Sequence, residues 1–78
     1  MNRDTIIGKR IAALRDEAGL KQNELAKKLT WSAAVLSRVE NGDRPLASEE
    51  LQTVLNGIGT ADALKLREIL ERQWHMIP

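Results

Sequence analysis

The sequence predicts an all-α fold, a compact bundle of five helices. Three observations carry that expectation. Apolar residues recur three and four positions apart along most of the chain, the spacing that gathers them on one face of a helix. No stretch alternates apolar and polar residues with period two, and Phe and Tyr are absent, so no strand is indicated. Residues that start and stop helices fall between the periodic segments.

The first helix is expected from about Asp4 to Ala18, with Ile7, Ile11, Leu14 and Ala18 on one face. Gly19 stops it as a left-handed cap. The second runs from about Gln22 to Leu29 and turns Leu25, Ala26 and Leu29 inward. Thr30-Trp31-Ser32 forms a tight connection, and Ser32 caps a third helix, Ala33 to about Glu40, whose inward residues are Leu36 and Val39. Asn41-Gly42-Asp43-Arg44-Pro45 is a turn cluster. Ser48 is expected to cap the fourth helix, which carries Leu51, Val54, Leu55 and Ile58 and ends at Gly57 and Gly59. Thr60 caps a fifth helix, about 60–74, with Asp62 at the positive end of its dipole.

With 78 residues the chain has room for one domain, 1–78, and one core. There are no cysteines, which excludes a disulfide scaffold and a thiolate zinc site and fits a reducing cytoplasm. No apolar run reaches the roughly 18–20 residues of a membrane span, and no signal peptide is visible. Net charge is only +1, but residues 1–45 hold nine Lys/Arg against six Asp/Glu, and residues 46–78 hold three against five. A basic front half suits a face presented to phosphates, although scatter of surface charge produces the same small asymmetry.

Residues 22–41 have the requirements of two helices joined by a tight turn, the second of which enters the major groove of DNA while the first braces it. The first helix needs a small residue where the second crosses it, here Ala26. Apolar residues must meet the core, here Leu25, Leu29, Trp31, Leu36 and Val39. The outward face of the second helix, Ser32, Ala33, Ala34, Ser37 and Arg38, is free of large apolar groups.

Gln22-Asn23-Glu24-Leu25-Ala26-Lys27-Lys28-Leu29 followed by Leu36-Ser37-Arg38-Val39-Glu40-Asn41-Gly42 resembles the lambda-repressor/Cro-like (XRE-type) helix-turn-helix family. The preceding Leu14-Arg15-Asp16-Glu17-Ala18-Gly19-Leu20 and the following Arg44-Pro45, Ser48 and Leu51 match it too, so the resemblance covers roughly residues 7–58. It implies a five-helix bundle that binds double-stranded DNA. It places Ser32, Ala33, Ala34, Ser37 and Arg38 toward the bases, with Arg38 meeting either guanine or a phosphate. Gln22, Asn41 and Arg44 fall on positions that serve the DNA backbone, and Lys27 and Lys28 are added to them as neighbouring cations. Arg15 and Glu40 match an interior ion pair.

Several residues depart from the family pattern. Thr30 stands where Gly is common, which requires a different turn or a left-handed Thr. Lys21 stands where Ser or Thr would cap the second helix, a loss of roughly 1 kcal/mol. Trp31 replaces a branched aliphatic. Ala33 and Ala34 can touch only a thymine methyl, so modest specificity per half-site is expected.

Other features have simpler readings. His75 is a lone surface histidine, and Glu49 and Glu50 are acids of a first helical turn. No phosphate-cradling glycine loop, nucleophile–base set or metal-ligand cluster is present, so neither an enzyme nor a cofactor is expected. The segment carrying Leu66, Leu70 and Trp74, spaced at four, is more apolar than a small core needs. They are expected to join two copies of the chain; the alternative is that Trp74 folds back on the first helix of its own chain, and a docking site or the point where a larger chain was cut are the other readings of the segment. Three functions compete: a bacterial or phage repressor acting as a cytoplasmic homodimer on a palindromic operator, an antitoxin-type or protein-docking module, and the N-terminal recognition domain of a longer protein. The absence of a polar tail at Pro78 favours the last slightly.

Overall fold

The computed structural model of the protein describes residues 2–75, with the side chains of Glu71, Gln73, Trp74 and His75 outside that description. It contains five helices in the expected order: α1 (Arg3–Glu17), α2 (Gln22–Lys28), α3 (Ala33–Glu40), α4 (Ser48–Ile58) and α5 (Ala61–His75). Helix α1 packs on α3 and, less extensively, on α4; α2 packs on α3 and α4, and α5 packs on α4. The radius of gyration, 11.9 Å, is close to the value of about 11.5 Å expected for a compact chain of this length.

All five helices feed one core. Ile11 and Leu14 of α1, Leu25 and Leu29 beside α2, Leu36 and Val39 of α3, and Val54, Leu55 and Ile58 of α4 are buried. Helix α5 adds the buried Ala63, and Leu66 and Leu70 are packed part-buried against the same cluster. The close crossing of α1 over the end of α3 depends on Gly8, which the helical pattern does not single out. A Cβ there would collide with the backbone oxygen of Val39 and come within 2.7 Å of that of Glu40.

The helix ends explain the path of the chain. Asn2 caps α1, its Oδ1 accepting the Thr5 N–H at 2.9 Å. Helices α1, α2 and α3 close in the same way, with paired reversed hydrogen bonds around a left-handed residue. The three pairs are Leu20 N to Arg15 O with Gly19 N to Asp16 O, Trp31 N to Ala26 O with Thr30 N to Lys27 O, and Asp43 N to Arg38 O with Gly42 N to Val39 O. The left-handed residue is Gly19 (φ 72°) after α1 and Gly42 (φ 79°) after α3, but Thr30 (φ 57°) after α2. A β-branched residue in that conformation costs about 1–2 kcal/mol. The turn nevertheless closes, because Trp31 must swing back over α2 to deliver its N–H to Ala26 at 2.8 Å.

Two boundaries differ from the sequence expectation. Ser48 is the first residue of α4 and Ala47 is its N-cap; the Glu50 carboxylate, three positions on, accepts the Ala47 N–H at 3.1 Å. Gly57 lies inside α4, and Gly59 (φ 71°) alone closes that helix. Gly57 is needed for a different reason: a Cβ there would stand 2.8 Å from Cδ2 of Leu29, so it lets α4 approach α2. Ser32 and Thr60 cap α3 and α5 as expected, through Val35 N–H at 3.2 Å and Ala63 N–H at 3.3 Å.

Candidate nucleic-acid interface

Helices α2 and α3 are held as a pair by a polar network at their far end from the turn. Glu40, the last residue of α3, is the one buried charged residue among those described. Its carboxylate accepts from Arg15 Nε at 2.7 Å and Arg15 Nη2 at 3.0 Å, a forked ion pair, and from Gln22 Nε2 at 3.0 Å. Arg15 also donates through Nη1 to the carbonyl of Leu20 at 2.8 Å. One carboxylate thereby ties the end of α1, the loop before α2, the start of α2 and the end of α3. The hydrogen bond to Glu40 raises the Arg15 pKa above its ordinary value against the opposing effect of burial.

Gln22 has a second amide hydrogen beyond the one given to Glu40, and that hydrogen remains able to donate to a phosphate oxygen. Lys21 supplies no side-chain cap to α2, as its chemistry requires. The loss is partly made good, because the Glu24 carboxylate accepts the Lys21 N–H at 2.9 Å. Half of a capping box thus survives without Ser or Thr.

The solvent side of α3 is small and polar. Ser32, Ala33, Ala34 and Arg38 are exposed and Ser37 is half-buried, while Leu36 and Val39 face the core. The Ser32 oxygen is occupied by the cap, which leaves its hydroxyl hydrogen to donate. Asn41 is exposed at the C-terminal end of α3, and Lys27 and Lys28 are exposed on the last turn of α2, next to the connection into α3.

A profile of a helix-turn-helix domain family matches residues 6–67, which span α1 to the middle of α5. The chain belongs to the helix-turn-helix domain family. This family is related to XRE-type helix-turn-helix domains, and DNA binding is the activity it points to. A comparison with curated proteins returned no match.

Arg44 of this helix-turn-helix domain is half-buried, unlike the exposed Lys27, Lys28 and Arg38. Its guanidinium lies 5.4 Å from the centre of the Trp31 ring, and its Nη2 donates to the Glu50 carboxylate at 2.9 Å. That bond is the largest of the causes that hold the Glu50 carboxyl below the usual carboxylate range, with the Ala47 N–H adding to it. Trp31 is half-buried against the core, so its ring is both packing and platform. By its place in the sequence Glu50 is only a dipole-complementing acid. A glutamate three positions after Ala47 is the signal for its capping role, but nothing in the sequence pairs it with Arg44.

Of the residues expected to join two copies, Leu66 and Leu70 pack part-buried against the core of their own chain. Leu66 and Leu70 line an open apolar groove of about 330 Å³ together with Ile6, Ile7 and Leu51, while Leu64 and Ile69 are exposed. The side chains of Trp74 and His75 lie outside the described residues. No group of acidic, histidine or cysteine residues arranged to hold a metal occurs among the described residues. Among the described residues, no helix is long and apolar enough to cross a membrane.

Proposed function

We propose that this helix-turn-helix domain is a cytoplasmic transcriptional repressor that lays α3 in the major groove of a palindromic operator and acts as a homodimer. The observation that carries the reading is the exposed face of Ser32, Ala33, Ala34 and Arg38 on a helix whose other side is buried and whose end is tied down through Glu40. A recognition helix must be both accessible and rigidly aimed. Arg38 is the long cationic side chain on that face, Ser32 and Ser37 supply hydroxyls, and the alanines permit close approach to thymine methyls. Gln22, Lys27, Lys28 and Asn41 border the same surface and serve phosphates, which set register rather than sequence. The open groove that Leu66 and Leu70 line supports self-association through these residues and Trp74. Two-fold symmetry then sets two copies of α3 about one DNA turn, roughly 34 Å, apart. The same groove favours a second reading, a protein-docking or antitoxin-type module.

Binding to a randomised duplex library at two salt concentrations tests the proposal. Arg38→Ala flattens preference at one base pair per half-site, by about 1–3 kcal/mol, if Arg38 reads guanine. It weakens all sequences alike and lowers the salt slope by about one if Arg38 meets phosphate. Unchanged affinity, preference and slope refute the placement of α3. Sedimentation with and without operator tests the dimer, which a persistent monomer refutes.

A further inference from the structure

We propose that Glu50 is an internal competitor for DNA phosphate: with the Trp31 ring it holds the Arg44 guanidinium in the protein, and so lowers the sequence-independent part of the affinity. The inference rests on the DNA-binding reading above.

Arg44 is in the right place to reach a phosphate. It lies in the connection between α3 and α4, and its guanidinium stacks on Trp31, the residue immediately before Ser32, the N-cap of α3. The charge is therefore held beside the entry of the helix assigned to the major groove. Glu50 is equally well placed to intercept it. One carboxylate oxygen is anchored by the Ala47 N–H at 3.1 Å, and the other faces Arg44 Nη2 at 2.9 Å. The competitor is thus fixed by the first turn of α4.

The intercepted state depends on the carboxylate charge. A guanidinium has five donor hydrogens; among the described residues the hydrogen bond of Arg44 is the one to Glu50, while its Nη1 is buried with no partner. Both side chains keep about a third of their surface in water, 35 % for Arg44 and 36 % for Glu50. The pair withstands phosphate because both members are already ordered, the carboxylate by the Ala47 N–H and the guanidinium by the Trp31 ring, so forming it costs little side-chain entropy. Removing the carboxylate charge therefore frees Arg44 for the DNA backbone.

Binding of a fluorescent duplex of arbitrary sequence, measured by anisotropy over a range of salt, separates the possibilities. Glu50→Gln keeps an oxygen for the Ala47 cap but loses the charge that holds Arg44. It is expected to steepen the slope of log affinity against log salt by about 0.9 and to tighten binding about tenfold at ~50 mM salt. Glu49→Gln makes the same charge change on the exposed neighbour and is expected to shift the slope far less. Arg44→Gln is expected to keep the wild-type slope, and adding it to Glu50→Gln to restore that slope. Equal effects of Glu49→Gln and Glu50→Gln would overturn the proposal in favour of overall charge. So would an Arg44→Gln slope flatter by about 0.9 in the presence of Glu50, a result that does not depend on the folding of any Glu50 variant. Duplex binding that Glu50→Gln leaves unchanged overturns the proposal but not the DNA reading, whereas absence of duplex binding in every protein overturns both.

Discussion

Removing either partner of the Arg15–Glu40 pair tests the network that aims α3. Glu40 is 6 % exposed and Arg15 12 %, so neither charge is well hydrated once its partner is gone. Breaking a buried pair from one side costs about 3–5 kcal/mol. The two sides are not equivalent. Glu40→Ala leaves Arg15 with the Leu20 carbonyl at 2.8 Å and Asp16 at 3.3 Å, which places the loss near the lower end, about 3 kcal/mol. Arg15→Ala leaves the Glu40 carboxylate buried with only the Gln22 amide, which places it higher, about 4 kcal/mol. The double variant buries no lone charge and should cost no more than Arg15→Ala, so a coupling energy of about 3 kcal/mol is expected. Against a total stability of about 4–12 kcal/mol for a chain this long, either single change is severe. Urea unfolding at low temperature, followed by circular dichroism, reads these values; with a slope of about 1 kcal/mol per molar, Glu40→Ala moves the midpoint by about 3 M. A coupling below about 0.5 kcal/mol would refute the claim that the pair acts as a buried unit.

Three further outcomes are expected. Gly8→Ala should destabilise the protein by about 3 kcal/mol, since the added methyl meets backbone oxygens of Val39 and Glu40 that cannot turn aside; a thermal midpoint within a few degrees of wild type would contradict this. Thr30→Gly should stabilise by about 0.5–1 kcal/mol, the relief of a left-handed β-branched residue less the extra chain entropy of Gly, and a loss of stability on urea unfolding would count against strain at that turn. Because the folded-state pKa of Glu50 is lowered, its ion pair contributes stability above the ordinary carboxylate pKa of about 4.3 and loses it as pH falls through the folded value. Acid unfolding of Glu50→Gln should therefore be less pH-dependent below about pH 4 than that of the wild type, and coincident acid profiles would exclude a pair that forms only on folding.

The sequence by itself determined the elements and their faces. Ile11, Leu14, Leu36 and Val39 are buried where a period of 3.6 puts them, and Ser32, Thr60 and Gly19 act as caps because capping is a matter of a few neighbouring atoms. The solvent side of α3 was legible for the same reason, since a helix that buries Leu36 and Val39 must turn Ala34 and Arg38 outward. The boundary at Ala47 was missed because Ser48 is the better isolated cap, and only the reach of Glu50 back to the Ala47 N–H favours the earlier start.

What the tertiary structure decided are appositions between residues distant in the chain. Gly8 is an ordinary helix glycine until α1 crosses the carbonyl end of α3, and Gly57 is a stop signal by its type until Leu29 packs against it. Thr30 takes the left-handed conformation because the turn must return Trp31 to Ala26, a demand set by how α3 packs rather than by the propensity of threonine. The partnership of Arg44 with Trp31 and Glu50 is of the same kind. A charged side chain has no periodicity to betray its partner, so which carboxylate or ring it meets is set by the packing of the helices and the path of the loop between them.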